Sequence, residues 1–208
     1  MDIHPPEGPT RSFKDFAIHI LIVTIGIVIA LGLEGIRERV HEHNSLVDTR
    51  RTFRLELEAD RRNLVNETAN VQDTSAEVDR VLSDYAQLIK DPGQLQKRVD
   101  DIKPGFYAFS GTAWGAASSS GILAYMKTDE ENRFADAYFS VEAYQPISRQ
   151  ALLDFTAVNS FFDSRPSLSP QDAVEGEQRL RTFRFDLRIM AHVDREFMDD
   201  LNAALASQ

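Results

Sequence analysis

The run Phe16–Leu33, FAIHILIVTIGIVIALGL, holds only two polar side chains, His19 and Thr24. It passes without a proline into the charged stretch Glu34–Asn44, EGIRERVHEHN. At helical rise its ~18 residues reach about 27 Å, close to the ~30 Å hydrocarbon core of a bilayer. A buried helix of a soluble domain keeps a polar side at helical spacing. Here Ile18, Ile20, Leu21, Ile22, Val23, Ile25, Ile27, Val28 and Ile29 cover every side. Ala30-Leu31-Gly32 looks like a small-x-small cleavage site, but the apolar core exceeds the ~7–15 residues of a signal h-region, and acids and prolines precede it. The run therefore reads as an uncleaved span, 16–35, bounded by Phe16 and Leu33, between an N-terminal tail, 1–15, and a domain covering 36–208.

His19 is the ionisable group in this span. It is a candidate for ligating a pigment or haem, or for a hydrogen bond to a neighbouring helix. It lies about one turn from Lys14-Asp15, so an interfacial imidazole is the favoured reading. Gly26 and Ala30 form a small-xxx-small pair that permits close approach of another helix, which makes them candidate contact residues.

The lipid bilayer is thus the first expected partner, and a bacterial inner membrane the expected location. Arg37, Arg39, Arg50, Arg51 and Arg54 follow the span, which places the domain in the cytoplasm by the positive-inside rule. Glu34, Glu38 and Glu42 alternate with those arginines at the spacing of a salt-bridged helix face, and large C-terminal domains translocate regardless of charge, so a periplasmic domain is the preferred side.

No glycine or proline occurs between Ile36 and Asp91. Leu57, Leu64, Val71, Val78 and Tyr85 recur every seven residues, with Leu46, Phe53, Val81 and Leu88 in the offset row. Asp60, Glu67 and Thr74 interrupt that offset row, which argues for a long amphipathic helix in a bundle rather than a two-stranded coiled coil. Continuous from Ser12 to Lys90, span and helix would reach on the order of 115 Å; Asn44-Ser45 is the expected place for a break.

Asp91-Pro92-Gly93 ends the helix, and a short amphipathic piece, Gln94–Ile102, leads to a turn at Lys103-Pro104-Gly105. Phe106–Met126 reads as a helix with a small-residue face, on which Trp114, Ser118 and Gly121 are candidate contacts, internal packing being the alternative. Thr128 is the expected N-cap of the next helix, with Glu131 closing a capping box. Phe134, Tyr138, Val141, Ile147, Leu152, Phe155, Val158 and Phe162 form its stripe, and Pro146 is expected to kink or interrupt it. Ser169-Pro170-Gln171-Asp172 opens the last helix, whose stripe runs from Phe183 through Leu187, Met190, Val193, Phe197 and Leu201 to Leu205. No stretch alternates as a strand does. The fold class is all-α: an N-terminal span continuing into a long helix, then an antiparallel helical bundle.

Candidate chemistry is sparse. With no cysteine, disulfides, thiolate metal sites and a thiol nucleophile are excluded. A net charge of −10 argues against nucleic acid as a partner. Glu38-x-x-His41 has the spacing of a di-iron carboxylate unit, but no second such pair exists, and His43 points to another helix face. Ser118-Ser119-Ser120-Gly121 lacks the flanking glycines of a nucleophile elbow. The acid pairs Asp100-Asp101 and Asp199-Asp200 read as solvated. No catalytic residue, cofactor or metal is expected.

Two stretches carry a resemblance. Ile22–Glu38, IVTIGIVIALGLEGIRE, and Thr112–Leu123, TAWGAASSSGIL, followed by RFADAY at 133–138, resemble a group of bacterial single-span, membrane-anchored helical proteins of unknown function. The resemblance covers the anchor, the long helix and the central motif, and implies an anchor followed by an extracytoplasmic helical domain. This chain departs from the group's basic N-terminus by carrying Asp2, Glu7 and Asp15. The resemblance implies no activity.

The expected function is therefore non-enzymatic: a membrane-anchored scaffold or accessory subunit acting on other membrane proteins or on itself. The alternative is a sensor or small-ligand-binding bundle, with a pocket lined by Phe106, Phe109, Trp114, Tyr138 and Phe155.

Overall fold

The structure is a computed structural model that describes residues 13–206. It contains α1 (Phe13–Leu88), α2 (Pro92–Asp100), α3 (Thr112–Ser120), a 3₁₀ turn at Ile122–Tyr125, α4 (Thr128–Asp163) and α5 (Pro170–Ala206). Among the described residues there is no strand. By its internal contacts the chain divides into two units, one ending at Val47 and one beginning at Asp48.

The first unit is the apolar end of α1. Its mean hydropathy reaches 2.7 and none of that window is buried, so this is a helix long and apolar enough to cross a membrane. The helix is unbroken through Asn44-Ser45, so the apolar run continues into the long helix as the fold class expects and the break considered there is absent. Neither residue supplies a breaker, and isolated polar residues lower helix propensity only slightly. Of the expected salt-bridged face, Arg37 and Glu34 form a loose pair at 3.6 Å. Fully solvated pairs of this kind contribute little.

The second unit is built on three long helices. Arg50 meets Glu130, Phe53 meets Phe134 and Glu67 meets Ser148, so α1 and α4 run parallel. Thr68 meets Asp194 and Tyr85 meets Ala173, while Ser140 meets Asp200, so α5 runs antiparallel to both. The heptad rows face inward as the spacing predicts. Phe53, Leu57, Leu64 and Val78 of α1 are wholly buried against Phe134 and Val158 of α4 and Leu180, Phe183, Met190 and Leu201 of α5. Leu152, placed in the α4 stripe by spacing, is instead 43% exposed.

Turn chemistry sets the boundaries. Asp91 caps α2 by accepting the Gln94 amide at 3.1 Å. Ser169 caps α5 reciprocally: its hydroxyl accepts the Asp172 amide at 3.1 Å, and the Asp172 carboxylate accepts the Ser169 amide at 3.0 Å, with Pro170 in the first turn. At α4 the cap is Lys127 rather than Thr128, and no side chain completes it. Glu131 does not close a box, and the neighbouring Glu130 is held by Arg50 instead. Pro146 lies inside α4 without ending it.

Because α1 and α4 are parallel, the chain must return along the bundle between them. It does so through α2, the segment Lys103–Gly111, α3 and the 3₁₀ turn. The expected helix over Phe106–Met126 is therefore only nine residues long, Thr112–Ser120. Gly121 ends it with φ of +75°, a left-handed cap that an L side chain strains to adopt. At the other end of the bundle Gly176 is where α5 comes closest: a Cβ there would stand 2.7 Å from the Phe162 ring and from the Tyr85 hydroxyl.

Candidate functional site

A segment without helix or sheet partners leaves its backbone amides and carbonyls unsatisfied. In Lys103–Gly111 these groups are taken up mostly by side chains of α1, with Gln145 of α4 donating to the Phe109 carbonyl at 3.0 Å. The α1 residues are Glu56, Asp60, Asn63, Glu67 and Asn70, which alternate by four and three and so lie on one face. Asn70 accepts the Gly105 amide and donates to the Lys103 carbonyl. Asn63 donates to the Ala108 carbonyl at 2.9 Å. Both oxygens of Asp60 accept the Ser110 amide, at 3.2 and 3.3 Å. Glu56 accepts the Ser110 hydroxyl at 3.0 Å and the Ala113 amide that opens α3 at 3.2 Å. Two of the residues that interrupt the heptad row, Asp60 and Glu67, thus face the return segment, and the third, Thr74, bonds Asn70, which holds it. Asp60, Glu67 and Thr74 are buried, 2%, 0% and 3% exposed.

Burial without a counter-charge shapes the acidity of this stripe. It pushes the Asp60 carboxyl up to about 7 against the pull of the Ser110 amide, and the Glu56 charge adds to the rise. It pushes Glu67 up to about 7 as well; the Ser148 hydroxyl pulls the other way, the Asp194 charge adds to the rise and the Tyr107 amide opposes it.

Glu67 is the centre of a polar cluster shared by all three long helices. Its Oε1 accepts from Ser148 at 3.0 Å, and Asp194 Oδ2 accepts from Thr68 at 2.8 Å. The carboxyls of Glu67 and Asp194 and the Tyr144 hydroxyl are buried together, with Tyr144 facing Asp194. Burial holds Asp194 above its ordinary value, and burial plus the two neighbouring carboxylates holds Tyr144 far above its own. Among the described residues, no ion pair joins Asp60, Glu67 or Asp194 to a lysine, arginine or histidine. The chemistry open to such a stripe is uptake and release of protons near neutral pH, coupled to how tightly the return segment is held.

No protein-family model, no curated protein and no solved structure matches the chain.

The residues singled out from the sequence fall in separate places. Phe16, His19, Gly26, Ala30 and Leu33 are exposed on the apolar end of α1, and a Cβ on Gly26 would meet nothing within 4 Å. Trp114 is half-buried, 5.7 Å from the Phe53 ring and stacked on Tyr138 at 5.5 Å. Ser118 and Gly121 are exposed. Ser119 and Ser120 donate back to carbonyls of their own helix, at 2.9 Å each to Gly115 and Ala117. His41 and His43 are exposed, and among the described residues no group of three or more histidine and acidic side chains is placed to hold a metal.

The five aromatic residues of the expected pocket do not converge. Phe109 packs on Tyr144 and Phe197, Trp114 and Tyr138 on Phe53, and Phe155 on Phe183. Sequence reading missed the polar stripe as a site, because Asp60 and Glu67 looked like defects in a pattern rather than members of one.

Proposed function

We propose that this chain is a non-enzymatic, single-span protein of a bacterial inner membrane whose bundle acts through contacts with other membrane proteins, as a scaffold or accessory subunit, from the periplasmic side. The observation that carries the reading is an apolar helix of membrane-spanning length with no side covered, joined to a domain whose aromatic side chains are used in packing one another. The outer surface of that domain supports it further. Phe139, 71% exposed, lies beside Ile147 and Val193 on that surface, an apolar strip open to a partner. The resemblance to membrane-anchored helical proteins points the same way.

The test is crosslinking in intact membranes followed by detergent purification of the full chain. A membrane-extracted protein that carries a defined partner or a second copy is expected. A strictly monomeric, partner-free protein, or one released from membranes by carbonate, would refute the reading.

A further inference from the structure

The seam between α4 and α5 opens into a groove of about 270 Å³. Phe139, Ile147 and Val193 make its apolar wall, and Asp136, Glu196 and Asp200 its rim. Phe139 is 71% exposed, more than any large apolar side chain of the span. Among the residues lining the groove there is no lysine or arginine. Neither Asp136 nor Glu196 has an ion-pair partner among the described residues; Asp200 accepts from Ser140 at 2.6 Å.

The acidic character continues along the same two helices. Asp136, Ala143 and Ile147 share a face of α4 with Asp154, while Val193 shares a face of α5 with Asp186. Asp154 and Asp186 approach each other across the seam. Burial, then the hydrogen bond and charge of the neighbouring Asp154, lifts Asp186 to about 7. A rim of Asp136, Glu196 and Asp200 lined by no lysine or arginine is the condition that an incoming basic side chain relieves.

We propose that this seam is the docking surface for a cationic amphipathic helix of a partner protein. An apolar side chain of that helix seats beside Phe139 over Ile147 and Val193, and its basic side chains meet Asp136, Glu196 and Asp200. The assignment rests on the reading of the chain as a protein-contact module and names the chemistry of the contact. Charge favours a cationic occupant: Asp136, Glu196 and Asp200 rim the groove and no lysine or arginine lines it.

The test uses the full chain in phosphatidylcholine nanodiscs, with empty nanodiscs subtracted, and two fluorescent amphipathic helical peptides, one of leucine and lysine and one of leucine and glutamate. The leucine–lysine peptide is expected to bind at least tenfold more tightly. Phe139→Ser should weaken it at least tenfold, and the pair Asp136→Lys with Glu196→Lys should reverse the preference. All three positions are exposed, so the bundle core is left intact. Equal binding of both peptides, or binding indifferent to these substitutions, would overturn the proposal. So would a dimer that Phe139→Ser converts to monomer with no peptide present, since the occupant is then a second copy. A native complex that survives Phe139→Ser removes the seam as the docking site but leaves the protein-contact reading standing; a chain purified alone removes both.

Discussion

Replacing Glu67 by glutamine should make the bundle more stable at pH 8 and leave it nearly unchanged at pH 5. Glu67 is 0% exposed, and its carboxyl is lifted from an ordinary 4.5 to about 7, first by burial. A carboxyl whose folded value lies above its unfolded value binds its proton more tightly in the folded state. Its contribution is therefore full below about 4.5 and is lost as the pH rises through about 7. A shift of this size corresponds to on the order of 3 kcal/mol, delivered at up to about 1.4 kcal/mol per pH unit.

Glutamine keeps an oxygen for the Ser148 hydroxyl and removes the charge that Asp194 repels. It carries no charge to desolvate, so its advantage should open between pH 5 and 7.5 and level off above. For a domain of this size about 1 kcal/mol moves the midpoint by ~2–4 °C, so a rise of roughly 6–12 °C at pH 8 is expected. The measurement is thermal or urea unfolding of the full chain in detergent, followed by helical circular dichroism from pH 5 to 8.5. A glutamine variant that parallels the parent curve at every pH would refute the argument, because Glu67 would then titrate alike folded and unfolded.

The parent protein itself should lose stability from pH 5 to 7.5, since Asp60, Asp186 and Asp194 are raised as Glu67 is, while Glu130 and Asp172 are lowered and act only under more acid conditions. Asp60→Ala should speed hydrogen exchange at the Ser110 amide, which Asp60 alone accepts, while leaving mid-helix amides of α5 protected; uniform acceleration would mean global loosening instead. Gly176→Ala should destabilise by ~1–3 kcal/mol in urea unfolding, because the new methyl meets Phe162 and Tyr85 at 2.7 Å; an unchanged midpoint would show that the two rings move aside freely. Phe53→Ala should cost ~3–5 kcal/mol and shift the emission of Trp114, the chain's one tryptophan, to the red, since Phe53 packs on Trp114, Phe134 and Tyr138; unaltered emission would place Trp114 outside that cluster.

What was legible in the sequence was local. The apolar run declares itself by composition, the rows through Leu57 and Phe53 by period, and the helix ends by Asp91-Pro92-Gly93 and Ser169-Pro170. Each of these signals is confined to a few consecutive turns. The polar stripe was visible only as an interruption, because what Asp60 and Glu56 bind lies 50 or more residues further on. Phe106–Gly111 misled for the same reason: its backbone is held by side chains of α1 and by Gln145 of α4. Gly176 carries no signal of its need, which depends on Phe162 and Tyr85 meeting at that point. Phe139 follows Tyr138 directly and disappears beside it, until the seam shows that one is core and the other is surface.

The return segment has a further consequence, for what the gene can tolerate. From Glu56 to Asn70 α1 advances about 21 Å, and the ~8 residues facing it, from Gly105 to Ala113, cover about 26 Å at most when extended. The two rulers have different gradations and agree only at the positions that bond. One residue inserted between Lys103 and Ala113 would carry every amide beyond it past its acceptor and turn alternate side chains to the opposite side. In most helical proteins the connections are where length varies without harm. Here Lys103–Gly111 should be as intolerant of insertion as the core, and changes in length should collect instead around Arg165–Leu168, which joins α4 to α5.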